Sequence, residues 1–195
     1  MRLISSAVAG IMTLFGAAGI PSAKAAQWSE AGRLTSIPYG HKEYCNRNPR
    51  NCGAHRVLPP MKLTPQRMKL LQSVSSSVNH RIKPVSDQEN YGKRDYWTMP
   101  VNGKGDCEDY VLMKRAQLMA RGISPSQLLI TMVQGSEAHV VLAVRTDRGD
   151  YILDNLRDEV LPVEKTSYRY IKMQSPANAG QWVSIAGRSV AVANN

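Results

Sequence analysis

Two helical segments followed by short apolar runs constrain the fold of this chain more than any other feature. In the first segment, Thr64 is suited to cap the helix and Pro65 to occupy its first position. Apolar residues then recur at spacings of three and four until Pro84. They are Met68, Leu71, Val74, Val78 and Ile82. This spacing predicts a helix with one apolar face that packs against a core.

The second helical segment begins at Asp106 and Cys107 and ends before Gly122, a residue type that often terminates helices. Five short apolar runs follow Pro125, and they span residues 128–133, 140–144, 151–153, 168–171 and 182–185. The second and third runs are separated by Asp-Arg-Gly-Asp, which is typical of a β-hairpin. Helices that precede a series of strands predict an α+β fold, with the helices packed on one side of an antiparallel sheet.

The first 25 residues have the organisation of a secretory signal peptide. Arg2 precedes an apolar run of small residues over positions 3–20, and Ala23 and Ala25 supply the small side chains that signal peptidase requires. An uncleaved membrane anchor is the alternative, but the run is short and rich in Gly, Ala and Ser. We therefore expect residues 1–25 to be removed, leaving a periplasmic or secreted protein with no stable membrane insertion.

The chain is basic, but its positive charge is not concentrated. It has 25 Lys and Arg residues against 15 Asp and Glu residues, a formal net charge of +10. Basic runs of the kind that bind nucleic acid are absent from the sequence, and an exported protein meets little nucleic acid. The charge therefore argues against a nucleic-acid partner and indicates solubility with loose attraction to the cell envelope.

Residues 26–60 are rich in Gly, Pro, Asn and Arg and lack periodicity, which predicts an irregular N-terminal arm. Within this arm Cys45 and Cys52 flank a polar, turn-forming sequence, and thiols are readily oxidised in an exported protein. A local disulfide is therefore expected. A metal site that combines these thiols with His41 or His55 is the alternative, although the spacing is not a recognised zinc pattern.

Cys107 is the cysteine that such a disulfide leaves over, and it is the candidate nucleophile. At the start of a helix, unpaired N–H groups favour the thiolate. The neighbouring acids Asp106, Glu108 and Asp109 oppose that stabilisation, so an imidazolium partner is required. A buried, inert thiol is the alternative.

His139 is the one histidine of four that stands at the entrance to an apolar strand able to lie beside this helix. Asp154 follows the next strand, where a carboxylate could orient the imidazole as the third member of a triad. A tight hairpin centred on residues 148–149 would instead place His139 opposite Asp158, an offset of roughly 13 Å from Asp154. A loop of about six residues or a bulge would bring Asp154 opposite His139, so both carboxylates remain candidates at this point.

Three motifs resemble the bacterial transglutaminase-like cysteine peptidases. They are Gly-Asp-Cys-Glu-Asp-Tyr at 105–110, Ala-His-Val-Val-Leu-Ala-Val-Arg at 138–145 and Ile-Leu-Asp-Asn-Leu at 152–156. The resemblance implies a papain-like, transglutaminase-type fold, with residues 61–195 as the peptidase domain. It also implies that Cys107 is the nucleophile, that His139 is the general base and acid, and that Asp154 is the orienting carboxylate.

The best-known branch of this family implies further properties. Its members are periplasmic proteases that cleave large surface adhesins under the control of an inner-membrane receptor that senses cyclic di-GMP. They bind calcium through the acids that flank the cysteine, which here are Asp106 and Glu108. Two carboxylates supply only part of the six to eight oxygens that calcium takes, and both acids would also be favourable at a helix N-terminus without an ion.

The favoured hypothesis is an exported thiol hydrolase that cleaves a protein or peptide of the envelope through an acyl-thioenzyme, with no cofactor required for the chemistry. The Cys107 backbone N–H is expected to be one oxyanion donor. The same triad could instead perform transglutamination or amidase chemistry, if an amine intercepts the acyl-thioenzyme. A non-catalytic, envelope-binding module is the third hypothesis.

Overall fold

The computed structural model describes residues 27–188 of the chain. The predicted signal peptide lies outside these residues. The helices are α1, Tyr39–Arg47; α2, Pro65–Arg81; α3, Asp87–Tyr91; and α4, Cys107–Met119. Among residues 27–188, none of the helices has both the length and the apolar character needed to cross a lipid bilayer.

Seven strands form an antiparallel sheet with the spatial order β1-β9-β8-β4-β5-β6-β7. Their bounds are Ser29–Thr35 (β1), Leu128–Gln134 (β4), Ala138–Thr146 (β5), Gly149–Leu153 (β6), Leu161–Pro162 (β7), Arg169–Ser175 (β8) and Asn178–Arg188 (β9). Two short segments, Lys83–Pro84 (β2) and Lys104–Gly105 (β3), pair in parallel beside the sheet. Each of the five apolar runs overlaps a strand, and the mixed architecture confirms the predicted α+β class.

The helices pack on one face of the sheet, and the side chains of β5 alternate between this face and the opposite one. Val140, Leu142 and Val144 pack into the main core with residues of α2 and α4. Val141 and Ala143 belong to a smaller cluster on the other face. The central strands are therefore buried on both sides.

Helix α2 forms as its sequence predicts. Thr64 Oγ1 accepts a hydrogen bond from the Arg67 backbone N–H at 3.2 Å, and Pro65 occupies the first helical position. Leu71, Val74 and Val78 are buried on the apolar face. This face fixes α2 against the core and against α4.

The prediction that residues 26–60 form an irregular arm is wrong, because this segment contributes β1 to the sheet and contains α1. Strand β1 pairs with β9 through Ala31 with Ile185 and Leu34 with Val183. Apart from Ser29, the residues of β1 are exposed or half-buried. The sequence of the strand accordingly shows no alternation of apolar and polar residues. Backbone hydrogen bonds to a distant strand hold it, and a local pattern does not reveal them.

The predicted disulfide joins Cys45 at the end of α1 to Cys52, with 5.5 Å between the Cα atoms. His41 lies beside it with less than a tenth of its surface exposed, and Trp182 Nε1 donates to its Nδ1 at 3.1 Å. Gln174 Nε2 lies 3.1 Å from the other ring nitrogen. Burial and the nearby charge of Arg115 lower the pKa of His41 to about 4. With both thiols oxidised and both ring nitrogens occupied, these residues form a structural cluster, not a metal site.

Replacing both Cys45 and Cys52 with serine is expected to lower the free energy of unfolding by about 2 to 3 kcal/mol, because an eight-residue loop is freed in the unfolded chain. Urea denaturation of the mature protein measures this loss. Cys107→Ser is the control, since it removes a thiol without touching the disulfide. An unchanged urea midpoint in the double variant would contradict the bond.

Candidate active site

Cys107 is the first residue of α4 and is half-buried at the mouth of a cleft. Its thiol donates to Glu108 Oε2 at 3.2 Å, and the Val140 backbone N–H donates to the sulfur. Burial, followed by the carboxylate of Glu108, raises the pKa of the Cys107 thiol far above its usual value. The thiol in this structure is therefore protonated. It lies against β5, the strand that carries His139.

His139 and Asp154 are joined by a hydrogen bond of 2.8 Å between Nε2 and Oδ1. Asp154 is 1% exposed, and its carboxylate also accepts from the Leu156 backbone N–H at 3.0 Å and from the Tyr168 hydroxyl at 2.5 Å. Burial opposes ionisation, but the hydrogen bonds from His139, Tyr168 and Leu156 outweigh it and lower the pKa of Asp154. A charged carboxylate therefore holds the imidazole.

The register of the β5–β6 hairpin explains how this pair forms without a wide loop. Thr146 pairs with Gly149 and Leu142 with Leu153, so the turn is tight and centred one residue earlier than expected. This register puts His139 and Asp154 two residues out of alignment and on the same face. Diagonal neighbours of this kind lie within reach of long side chains, so neither a six-residue loop nor a bulge is needed.

Asp158, the alternative carboxylate, lies against α2. Its Oδ1 accepts from Asn79 Nδ2 at 3.0 Å, and its Oδ2 lies 3.7 Å from Nε2 of the exposed His80. The structure therefore brings His139 together with Asp154 and not with Asp158.

Cys107 and His139 line one open cleft of about 520 Å³ between the start of α4 and the ends of β4 and β5. Asn155, Leu156 and Tyr168 form part of its wall. The remaining described lining residues are Pro84, Val85, Ser86, Glu89, Asp106, Gly135, Ser136, Glu137 and Ala138, which include acids but no Lys or Arg. An open cleft of this kind can admit an extended polypeptide.

Three acids converge behind the thiol. Asp87, Asp106 and Glu108 each offer an oxygen, and these oxygens lie within 4.8 Å of one another. Asp106 occupies the position before α4 but makes no side-chain capping hydrogen bond to it. Its Oδ2 accepts instead from the Asp87 backbone N–H at 3.2 Å. Helix capping therefore does not account for this carboxylate.

The acids around this cluster receive too few hydrogen bonds to compensate for the water that they lose on burial. Within the described part of the chain, Asp87 Oδ1, Asp106 Oδ1 and Asp109 Oδ2 are buried without a hydrogen-bond partner. Burial, with the charge of Asp106, raises the pKa of Glu108 to about 9, and burial raises that of Asp109 to about 8. Several desolvated carboxylate oxygens in one place suit a hard cation such as calcium.

Sequence reasoning missed two parts of this site. Asp87 lies 19 residues before Asp106 and directly after Ser86, whose hydroxyl caps α3, so its sequence context is that of an ordinary first-turn acid. Tyr168 begins one of the short apolar runs of the sequence, which predicts only a strand, yet its hydroxyl donates to Asp154 and its ring lies 5.7 Å from that of His139. No spacing rule connects either residue to Cys107.

Residues 31–190 match the model of a protein family described as bacterial transglutaminase-like cysteine proteinase BTLCP. The chain belongs to this family. It is accordingly a transglutaminase-like cysteine peptidase, as the resemblance of its three motifs implied. None of the curated protein sequences compared with the chain matches it.

Solved structures of LapG from Legionella pneumophila are similar to this chain. The calcium-bound structure is 27% identical, with 63% of this chain and 71% of that chain covered and a TM-score of 0.52. An EGTA-treated structure is 28% identical, with 63% and 69% covered and a TM-score of 0.51. The transglutaminase-like fold is thus supported by both sequence and structure.

Tyr168→Phe is expected to lower kcat about tenfold with little change in KM, because it removes a hydrogen bond to a buried carboxylate that contributes about 1.5 to 3 kcal/mol. Steady-state kinetics on a peptide substrate measures the effect. Tyr44→Phe is the matched control, since that hydroxyl accepts from Asn51 in the N-terminal segment. Equal kcat values for the two variants would contradict a role for Tyr168 in holding Asp154.

Proposed function

We propose that this protein is an exported thiol hydrolase that cleaves peptide bonds through Cys107, His139 and Asp154. The observation that carries the proposal is the 2.8 Å hydrogen bond between His139 and Asp154 at the cleft that also contains the Cys107 thiol. The Val140 N–H contact to the sulfur brings the thiol to the strand that carries His139. Nucleophile, base and orienting carboxylate are the parts that covalent acyl transfer requires.

In the proposed reaction, His139 takes the thiol proton and the Cys107 sulfur attacks the substrate carbonyl carbon. Asp154 accepts from Nε2, which leaves Nδ1 of His139 as the nitrogen that exchanges protons with the reacting groups. The Cys107 backbone N–H lies in the first turn of α4, where helix geometry gives it no intrahelical acceptor, and we assign it as a donor to the oxyanion. His139 then protonates the leaving amine, the acyl-thioenzyme forms, and water activated by His139 releases the acyl group.

Calcium is proposed to bind at Asp87, Asp106 and Glu108, with Asp109 beside them. Within the described part of the chain, Asp87, Asp106 and Asp109 each keep a buried oxygen without a hydrogen-bond partner, and such oxygens fit the ion. The similar protein LapG has a calcium-bound structure, which supports the proposal. When bound, the ion would supply positive charge that offsets the carboxylates around the nucleophile. The three acids would then serve as ligands, and Glu108 would be shared between the ion site and the thiol.

The substrate is proposed to be a protein of the cell envelope or surface, encountered after export. The predicted signal peptide supports a periplasmic or secreted location, and the open cleft supports a polypeptide substrate. Control by an inner-membrane receptor remains part of the proposal, because the family resemblance implies it.

Cleavage of envelope proteins from the same cell tests the function. Cys107→Ala and His139→Gln are expected to reduce cleavage by at least about 1,000-fold, as the loss of a nucleophile or base does in other acyl-transfer enzymes. Asp154→Asn is expected to be strongly impaired, whereas Asp158→Asn is the matched control and should keep most activity. Fragments that persist with Cys107→Ala would remove that residue from the mechanism.

Mass analysis of the products separates the possible outcomes of the same acyl-thioenzyme. Hydrolysis adds one water for each cut, whereas transglutamination forms an isopeptide bond with loss of ammonia. Binding of envelope material by the wild-type protein without any covalent change would instead identify a non-catalytic module.

Calcium is expected to raise the Tm of the mature protein, and Asp87→Asn is expected to abolish the increase. Because the pKa values of Glu108 and Asp109 lie near 9 and 8, these groups hold protons at neutral pH, so binding should release protons and strengthen as pH rises through that range. Titration calorimetry in buffers of different ionisation enthalpy measures the release. Glu137→Gln, an exposed cleft acid outside the cluster, is the control, and a normal calcium response in Asp87→Asn would contradict the site.

A further inference from the structure

Leu156 exposes an apolar side chain in the wall of the cleft. It is 69% exposed, and it lines the cleft together with Cys107 and His139. A single exposed leucine is common on protein surfaces, so its placement decides whether it has a role. Among residues 27–188, the other exposed large apolar residues do not line this cleft. They are Leu34, Tyr39, Val57, Leu58, Val101 and Met119.

The backbone of Leu156 is tied directly to the pair formed by His139 and Asp154. Its N–H donates to Asp154 Oδ1 at 3.0 Å, and the same oxygen lies 2.8 Å from Nε2 of His139. Two nitrogen atoms that bind one oxygen can be no further apart than these two distances together. The side chain of Leu156 therefore starts beside the imidazole, close to the place where the scissile bond must lie.

The loop that carries Leu156 is also anchored to α2. Asn79 Nδ2 lies 3.0 Å from the carbonyl oxygen of Asp154 and 3.0 Å from that of Arg157. These two anchor points flank positions 155 and 156, so the loop is fixed on both sides of the exposed leucine. An apolar surface that is already in place when a substrate arrives has little conformational freedom to lose on binding.

The surroundings of Leu156 indicate the kind of side chain that it can accept. The ring of Tyr168 lines the same cleft and lies 5.7 Å from that of His139, which adds apolar surface near Leu156. A leucine side chain has no polar group with which to select a polar or charged partner. Contact with an apolar side chain removes the apolar surface of both groups from water. The observations therefore favour an apolar substrate residue at this position.

We propose that Leu156 is a specificity-determining residue of the cleft and binds an apolar side chain of the substrate within about two residues of the scissile bond. An extended chain advances about 3.3 Å per residue, which sets this limit for a contact that begins beside His139. The proposal rests on the proposed function of the cleft and deepens it by naming the substrate class. That class is polypeptide segments with an apolar residue at one fixed position near the cut.

The sequences around the cuts test the proposal. The mature protein is incubated with peptides prepared from the envelope proteins of the same cell by an endoprotease that cleaves after glutamate, and the products are sequenced by mass spectrometry. The wild type is expected to cut where an apolar residue stands at one fixed position within about two residues of the cut. Leu156→Ser should lose this preference, whereas Leu156→Met, which keeps a similar apolar volume, should retain it.

Leu156→Asp tests for a gain that a structural role would not produce. The new carboxylate should shift the preference at the same position to Lys and Arg, because complementary charges favour binding. Leu156→Asn has nearly the same shape without the charge, so it should lose the apolar preference without gaining a basic one. The Ser and Asp substitutions at Leu34, which is 68% exposed on β1, are the matched controls and should leave the wild-type preference unchanged.

Steady-state kinetics on a pair of peptides measures the size of the effect. One peptide is taken from the wild-type cuts, and the other has Ser at the apolar position. The wild type is expected to have a kcat/KM about tenfold higher for the apolar peptide, the discrimination that a small apolar contact provides. Leu156→Ser should cleave the two peptides with similar kcat/KM and keep the wild-type Tm, because the side chain is exposed.

Each outcome decides the proposal. Loss of the apolar preference in Leu156→Ser together with a basic preference in Leu156→Asp supports it. The same preference in these variants and the wild type would overturn it. An equal loss of cleavage for all peptides or a lowered Tm would also overturn it, since either indicates a structural role. Cuts that persist with Cys107→Ala, or a wild type that makes none, would overturn the proposed function and this inference with it.

Discussion

The hydrogen bond between His139 and Asp154 is the interaction on which the site depends. It forms because the β5–β6 hairpin turns tightly and puts both residues on one face of the sheet. A slip of one residue in this register would send Asp154 to the opposite face. The strands on both sides of the hairpin and the buried clusters above and below it hold that register, so the geometry of the site is a property of the whole sheet.

The buried carboxylates around the cleft have two kinds of environment. Asp154 is surrounded by donors, and its pKa falls despite burial. In the cluster of Asp87, Asp106 and Glu108, by contrast, Asp87 and Asp106 each keep one buried oxygen that has no hydrogen-bond partner among residues 27–188, and the pKa values of all three acids rise. A site that leaves polar groups uncompensated is less stable than an apolar core would be, which is typical of regions selected for chemistry or ligand binding. The overall positive charge of the chain gives no hint of this local concentration of acid.

Much of the architecture could be predicted because it is encoded over a few neighbouring residues. The cap and first turn of α2, the start of α4 at Cys107 and the strands after Pro125 follow from spacing and turn chemistry. Strand β1 could not be predicted, because it has little apolar surface and is held by backbone hydrogen bonds to β9 at the other end of the chain. Asp87 and Tyr168 could not be predicted as site residues for a similar reason, since Asp106 and Asp154, the site residues that they contact, lie 19 and 14 residues away in the chain.

The sequence by itself determined which residue types were available and where helices and strands begin: a lone thiol at a helix start, a histidine at a strand entrance, and a carboxylate after the next strand. Only the tertiary structure decided that Asp154 and not Asp158 meets the imidazole and that Tyr168 supports it. The physical reason is range. Helical periodicity and turn preference act between neighbours in the chain, whereas hydrogen bonds and desolvation depend on which distant segments the packed core brings into contact.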